Sequence, residues 1–134
     1  MRASPLGLLL LLSACDPAAI ATFDIHPQPG HVHIDSSLVL DATRTGQDFA
    51  RRYQLISRQS KECASGEYSG NDTTGGRRLG LSLCLAKSRD GFRYTLVEAI
   101  TFSWGPKGAA LRDELADTLR RRYGDAVVVN ITRK

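Results

Sequence analysis

The feature that most constrains the fold is a pair of alternating segments joined by a short turn. Leucine occupies every second position from Leu79 to Leu85, and apolar side chains alternate again from Tyr94 to Phe102. Residues 89–91, Arg-Asp-Gly, separate the two segments and are typical of a tight turn. Because side chains of period two line one face of a strand, the segments predict an antiparallel hairpin whose leucine column faces the core.

One carboxylate interrupts the apolar face of this hairpin. Glu98 has the same parity as Leu96, and the predicted pairing places it opposite Leu81 or Leu83. A carboxyl group in apolar surroundings has a raised pKa and can act as a general acid. The alternative interpretations are a position near the sheet end, a local bulge, or a pairing with an arginine.

The C-terminal third predicts a helix followed by a strand. Leucines recur every four residues at Leu111, Leu115 and Leu119, after Pro106 and before Gly124, which suits a C-cap. Residues 126–131 form an apolar run that predicts a closing strand, apolar enough to be central in a sheet.

Three arginines crowd the last turn of that helix, at Arg120, Arg121 and Arg122. The helix macrodipole favours cations at this position and is a sufficient reason for them. The alternative is a basic patch that includes Arg133 and Lys134 and rests on anionic lipid headgroups.

The first half of the domain has weaker patterns. Residues 38–40 continue an extended segment, and Thr45 to Asp48 resembles a capping box, which predicts a helix over residues 46–59. A strand over residues 53–56 is the alternative. Residues 64–78 are rich in glycine, serine and other turn formers and lack periodicity, so they predict a long loop.

These patterns together predict the α+β class. The expected domain covers residues 23–134 and contains an antiparallel sheet with two helices. If the first segment forms one strand, the element order matches the split βαβ arrangement of ferredoxin-like domains.

The N-terminus carries an arginine, an apolar run and then small residues before a cysteine. Arg2 precedes residues 6–12, Leu-Gly-Leu-Leu-Leu-Leu-Leu, and Leu12-Ser13-Ala14-Cys15 resembles the lipobox of bacterial lipoprotein precursors. The resemblance implies that residues 1–14 are a signal peptide and that Cys15 carries a lipid, palmitate among its acyl chains. Residues 15–22 are then the lipidated N-terminus and tether.

The resemblance also implies a location. The lipid holds the protein at the cell membrane, facing the periplasm. In this family an aspartate at the position of Asp16 favours the inner membrane, with the outer membrane as the alternative. Without the signal peptide the chain has 17 basic and 14 acidic side chains, and this mild excess predicts no nucleic-acid partner.

The remaining two cysteines form the expected disulfide. If Cys15 is acylated, Cys63 and Cys84 remain as a pair, and cysteines of an oxidising compartment are usually joined. A reactive or metal-binding pair is the alternative, although the close Cys-x-x-Cys spacing is missing.

All three histidines fall near one predicted turn. Residues 22–26 and 31–35 alternate on either side of Pro27-Gln28-Pro29-Gly30, and four side chains that ligate metals share one parity: Asp24, His26, His31 and His33. If the turn closes a hairpin, His26 faces His31 and Asp24 faces His33. Such a face can hold zinc or copper, and the alternative is the solvated side of an amphipathic hairpin.

The sequence lacks the nucleophile elbow, the phosphate-binding loop, the dinucleotide glycine pattern and the zinc-protease helix. We therefore expect a non-enzymatic binding protein with a protein partner in the cell envelope, either an accessory subunit of a complex or a toxin inhibitor or immunity factor. Residues 64–78 are the expected contact surface. A metal-binding lipoprotein is the alternative, and an enzyme built around Glu98 is a third hypothesis.

Overall fold

The computed structural model describes residues 17–26, 36–88, 91–99, 101 and 103–132. Six strands and two helices follow one another along these residues: β1 (Ala18–Ile25), α1 (Ser36–Arg52), β2 (Ile56–Arg58), β3 (Gly66–Thr74), β4 (Arg77–Ser88), β5 (Gly91–Ala99), α2 (Pro106–Tyr123) and β6 (Val127–Ile131). The strand β1 begins at Ala18, so residues 18–22, which the sequence assigns to the tether, lie in the sheet.

The six strands form one sheet in the order β2-β3-β4-β5-β1-β6, and every neighbouring pair is antiparallel. The predicted α+β class, an antiparallel sheet with two helices, is confirmed for the described part of the chain. Helix α2 connects β5 to β6, and β1 lies between these two strands. This connection is a split βαβ unit, and the β2-β3 pair extends the sheet beyond β4.

The predicted leucine hairpin is confirmed and forms the centre of the core. Leu83 pairs with Leu96 and Leu85 with Tyr94, and Glu98 falls opposite Leu81. The four leucines from Leu79 to Leu85 are at most 2% exposed. The α2 leucines are fully buried in the same core, in which each apolar side chain contributes about 1.5–3 kcal/mol.

Helix α1 differs from the predicted one over residues 46–59, because it begins ten residues earlier, at Ser36, and ends at Arg52. Leu38, predicted as extended, is a buried helical residue that shares the core with Ala42 and Phe49. Thr45 does not cap the helix, because its hydroxyl donates to the carbonyl oxygen of Asp41 four residues earlier, at 3.0 Å. The alternative strand over residues 53–56 also differs, since β2 begins at Ile56.

The predicted loop over residues 64–78 is wrong from Gly66 onward. This segment forms β3, a two-residue turn at Gly75-Gly76 and the start of β4. Both turn glycines have positive φ, 54° and 76°, which suits a tight hairpin turn. The polar composition of this segment indicated a loop, but backbone pairing with β2 and β4 on its two edges holds β3 in the sheet. Of the β3 side chains, only Tyr68 and Asp72 are buried.

The closing strand is confirmed, but its predicted central position is wrong. Strand β6 lies at the edge of the sheet and pairs with β1. Val128 is 47% exposed, and alternate residues from Val127 to Ile131 pack against the core. The apolar run therefore covers one face of an edge strand, because alternate side chains of the strand point away from the core.

The predicted disulfide between Cys63 and Cys84 is confirmed, with Cα atoms 5.3 Å apart. It joins the segment that leads into β3 to the middle of β4 across 21 residues of chain. Closing a loop of this length stabilises the fold by roughly 3 kcal/mol through the unfolded chain. The bond also fixes the segment between β2 and β3 against the sheet.

The alternative basic patch that combines Arg120–Arg122 with Arg133 and Lys134 lies partly outside the described residues and stays a prediction. Helix α2 ends near the start of β6, where Val127 pairs with Ile25. Strand β6 then runs to the opposite end of β1, where the backbone N–H of Thr132 donates to the carbonyl oxygen of Ile20. Arg120, Arg121 and Arg122 therefore lie at the other end of the sheet from Thr132. Arg133 and Lys134, which follow Thr132, are outside the described residues.

Candidate functional site

The residues of the predicted zinc or copper site are only partly described. His26 is exposed at the end of β1, and His31 and His33 lie outside the described residues. The carboxylate of Asp24 accepts hydrogen bonds from Arg93, at 2.7 Å from Nε and 3.3 Å from Nη2. In the backbone, Asp24 pairs with Arg93 on β5 and with Val128 on β6, which corrects the predicted pairing with His33. The metal site itself stays a prediction.

A buried pair of carboxyl groups lies between the sheet and the start of α2. Glu98 is fully buried on β5, and Asp72 is 3% exposed on β3. Both side chains are on the face of the sheet that the helices cover, opposite Leu81 and Leu79 respectively on the intervening β4. The two carboxyl groups hydrogen-bond to each other, which requires one of them to carry a proton.

Backbone N–H groups at the start of α2 bind both carboxyl groups. The N–H of Gly105 donates to Glu98 Oε1, and the N–H of Gly108 donates to Asp72 Oδ2 at 2.9 Å. Asp72 also accepts from the N–H of Thr73 at 2.8 Å. The N-cap residue of α2 is Gly105, which has no side chain to cap the helix. Asp72 on β3 therefore supplies the missing cap and places a negative charge at the positive end of the helix.

The pKa values of the two groups shift in opposite directions. Burial first of all, and then the hydrogen bond and negative charge of Asp72, raise the pKa of Glu98 to about 7, although the hydrogen bond from the Gly105 N–H acts in the opposite direction. Burial also raises the pKa of Asp72, but the hydrogen bonds from Glu98 and from three backbone N–H groups outweigh it, so the net pKa is lowered. Below about pH 7 the proton therefore resides on Glu98, and Asp72 carries the charge.

Glycine is needed where α2 meets the pair. A Cβ atom at Gly108 would lie 2.6 Å from Glu98 Oε2, and one at Gly105 would overlap the Asp72 carboxylate. The helix backbone thus approaches the carboxyl groups as closely as sterics allow. The two glycines of Gly105-Pro106-Lys107-Gly108 are the signal in the sequence for such an approach.

The carboxyl pair has a structural role in this arrangement. Glu98 has no contact with solvent, and no N–H or hydroxyl group among the described residues donates to its Oε2. A general acid must reach a substrate, and a fully buried carboxyl under the first turn of a helix does not. The pair instead joins β3, β5 and α2 by hydrogen bonds in the interior.

An open cleft of about 650 Å³ lies on the segment between β2 and β3. Residues 58–61 and 63–66 line it, among them the cations Arg58 and Lys61. Cys63 forms part of the lining, so the disulfide to β4 holds this wall in place. The cleft is therefore a shaped, positively charged surface whose backbone is fixed to the sheet.

A second cleft of about 490 Å³ lies between α1 and β2. Its lining includes Leu55 and Tyr68 together with the cation Arg51. β2 is an edge strand of the sheet, and Ile56 on it is 70% exposed. This part of the surface thus combines apolar contact area with positive charge, a combination common at protein interfaces.

The first cleft lies away from the end of the sheet where β1 begins. Gly66 pairs with Leu85, Leu85 with Tyr94, and Tyr94 with Phe23, so the cleft residue Gly66 is level with Phe23. Phe23 is five residues from Ala18, which corresponds to roughly 17 Å along the strand. The segment from residue 58 to residue 66 is therefore displaced toward the far end of the domain.

Comparison of the chain with protein-family models, with curated proteins and with solved structures gives no match. Across the described ranges, no helix is both long and apolar enough to cross a membrane. Within the same ranges, no group of three or more histidine, cysteine or acidic side chains is placed to hold a metal ion.

Proposed function

We propose that the protein is a lipid-anchored lipoprotein that faces the periplasm and binds a protein partner through the cleft at residues 58–66. It acts without catalysis, as an accessory subunit of an envelope complex or as an inhibitor or immunity factor. The observation that carries the proposal is the position of this cleft, which lies away from the start of β1, the strand that the lipobox cysteine precedes by three residues in the sequence.

The N-terminal geometry supports the anchor. Cys15 of the lipobox is separated from the first strand residue, Ala18, by only Asp16 and Pro17. A lipid on Cys15 therefore holds the domain within a few residues of the membrane, and Asp16 favours the inner membrane. The Cys63–Cys84 disulfide suits the oxidising periplasm.

The chemistry of the cleft supports binding of a protein. Arg58 and Lys61 are its charged lining residues, so it complements acidic side chains on a partner. The exposed Ile56 and the second cleft adjoin it and provide apolar contact area. The polar group best suited to acid chemistry, Glu98, is enclosed in the core.

Site-specific photo-cross-linking in living cells tests this proposal. A photoreactive residue at Ala64, an exposed cleft position, should give a discrete adduct with a protein partner. Lys61→Glu should reduce the adduct by about tenfold, because a reversed charge at a complementary interface costs roughly 1.4 kcal/mol or more.

The matched control is the same photoreactive residue at Ala110, which is exposed on α2. This position should give no adduct. Equal labelling from both positions, or no adduct from Ala64, would contradict a partner site at the cleft.

A further inference from the structure

We propose that two copies of the protein pair through β6 and form a two-fold dimer, in which the sheet of one copy continues into the sheet of the other. The two β6 strands run antiparallel and are centred on Val129. Val127 of one copy then faces Ile131 of the other, and Val128 faces Asn130. This surface is separate from the cleft of the proposed function, and the inference depends neither on that cleft nor on the lipid anchor.

Alternate residues of β6 direct their backbone N–H and carbonyl groups away from β1. At the two ends of the strand, the N–H of His26 donates to the carbonyl oxygen of Ala126, and the N–H of Thr132 donates to that of Ile20. Hydrogen-bonded pairs alternate along an antiparallel ladder, so the even-numbered residues of β6 bond to β1 and the odd-numbered residues face outward. The outward-facing residues are Val127, Val129 and Ile131.

A second β6 strand supplies partners for these outward groups. Among the described strands, β6 has a neighbour on one side only. The N–H of Val127 is already bound to the carbonyl oxygen of Gly124, and the other outward groups face the open edge. In the proposed pairing the two Val129 residues exchange both of their hydrogen bonds, and each Ile131 N–H donates to the Val127 carbonyl oxygen of the other copy.

Strand β6 lacks the features that usually protect a sheet edge, which are charged side chains, proline, a bulge or a very short strand. Its sequence is Val-Val-Val-Asn-Ile, and its register with β1 is continuous over all five residues. Val128 is also 47% exposed. The opposite edge of the sheet, β2, is protected, because it has only three residues and one of them is Arg58. Between the two edges, β6 is therefore the one open to another strand.

The side chains of β6 suit a second copy of the same strand. Val127, Val129 and Ile131 are only partly buried against the core, and pairing places the same three apolar side chains of the other copy beside them. No like charges meet, because β6 contains none. The two-fold pairing also uses the unprotected edge of both copies, so assembly stops at a dimer. Pairing of β6 with β2 would instead leave free edges and continue into a filament.

Disulfide cross-linking between two single-cysteine variants of the full chain tests the pairing and its register. Val128 and Asn130 of the other copy form a non-hydrogen-bonded pair with Cα atoms about 4.5 Å apart, which a disulfide spans. Two copies of the same introduced cysteine lie diagonally, roughly 7–8 Å apart, which is too far. We therefore expect a mixture of Val128→Cys and Asn130→Cys to give at least about tenfold more linked dimer than either variant alone.

Mass spectrometry of the linked peptides identifies the bond between the two introduced cysteines. Dimers joined through the native cysteines are thereby not counted. No such bond in the mixture, or an equal yield of dimer linked through the introduced cysteine from either variant alone, would overturn the proposed pairing.

Val129→Pro, added to both cysteine variants, should reduce the linked dimer to the level of the single variants. Proline lacks the outward N–H that bonds across the interface, and β1 does not use this N–H. The matched control is Val129→Thr, which keeps the N–H and a β-branched side chain and should cross-link like the unaltered strand. Cooperative urea unfolding verifies that each variant is folded. An undiminished yield from folded protein with Val129→Pro would overturn backbone pairing through β6.

Discussion

Replacing Asp72 with alanine should lower the free energy of unfolding by about 3 kcal/mol. The change removes the cap of α2, which alone contributes about 1 kcal/mol. It also leaves the N–H groups of Gly108 and Thr73 and the carboxyl group of Glu98 without their partner in the interior. Each buried polar group left unsatisfied costs about 1–3 kcal/mol, partly recovered if water enters the space.

Urea denaturation at pH 6 measures this effect. Asp72→Asn should retain the acceptor oxygen and lose less stability than Asp72→Ala. The matched control is Asp113→Ala, an exposed aspartate on α2, which should change the free energy of unfolding by less than about 0.5 kcal/mol. Similar losses from Asp72→Ala and Asp113→Ala would contradict the cap that β3 provides.

Raising the pH from 5 to 8 should destabilise the protein through Glu98 by about 2–3 kcal/mol. The pKa of Glu98 is about 7 in the folded protein and close to the ordinary value of 4.5 in the unfolded chain. The folded state therefore binds the extra proton, and its stabilising effect is complete below about pH 4.5 and is lost as the pH rises through 7. A difference of about 2.5 pKa units corresponds to roughly 3 kcal/mol.

Comparison with Glu98→Gln isolates this contribution from the other titrating groups. The glutamine amide donates to Asp72 at every pH, so the variant should lose the part of the pH dependence that belongs to Glu98. Asp72, whose pKa is lowered, should still destabilise both proteins as the pH falls below about 4. Parallel stability curves for the two proteins between pH 5 and 8 would show that Glu98 does not hold the shared proton.

The elements with strong hydrophobic periodicity were predictable from the sequence. The leucine hairpin and α2 follow from period-two and four-residue repeats, because those side chains enter the core directly. The strand β3 was missed because its composition is polar, and its order comes from backbone pairing with strands that flank it in space. The start of α1 was missed because its capping signal at Thr45 belongs to the middle of the helix.

Half of the carboxyl pair was predictable for the same reason. The parity of Glu98 places it on the apolar face and indicates a raised pKa, and both are found. Its partner Asp72 lies 26 positions earlier, in the segment predicted as a loop. The contact between Asp72 and Glu98 depends on β4 lying between β3 and β5, so the spacing of the two residues in the sequence does not indicate it. The pairing of Asp24 with Arg93 depends on sheet register in the same way.

The most direct test of the proposed lipid-anchored binding protein is the intact mass of the protein purified from its native membrane. The proposal predicts a chain that begins at Cys15, with a covalent diacylglycerol on that cysteine and with the Cys63–Cys84 disulfide intact. A chain that retains residues 1–14, or one that begins at an unmodified Cys15, would contradict the anchor and with it the proposed direction of the cleft.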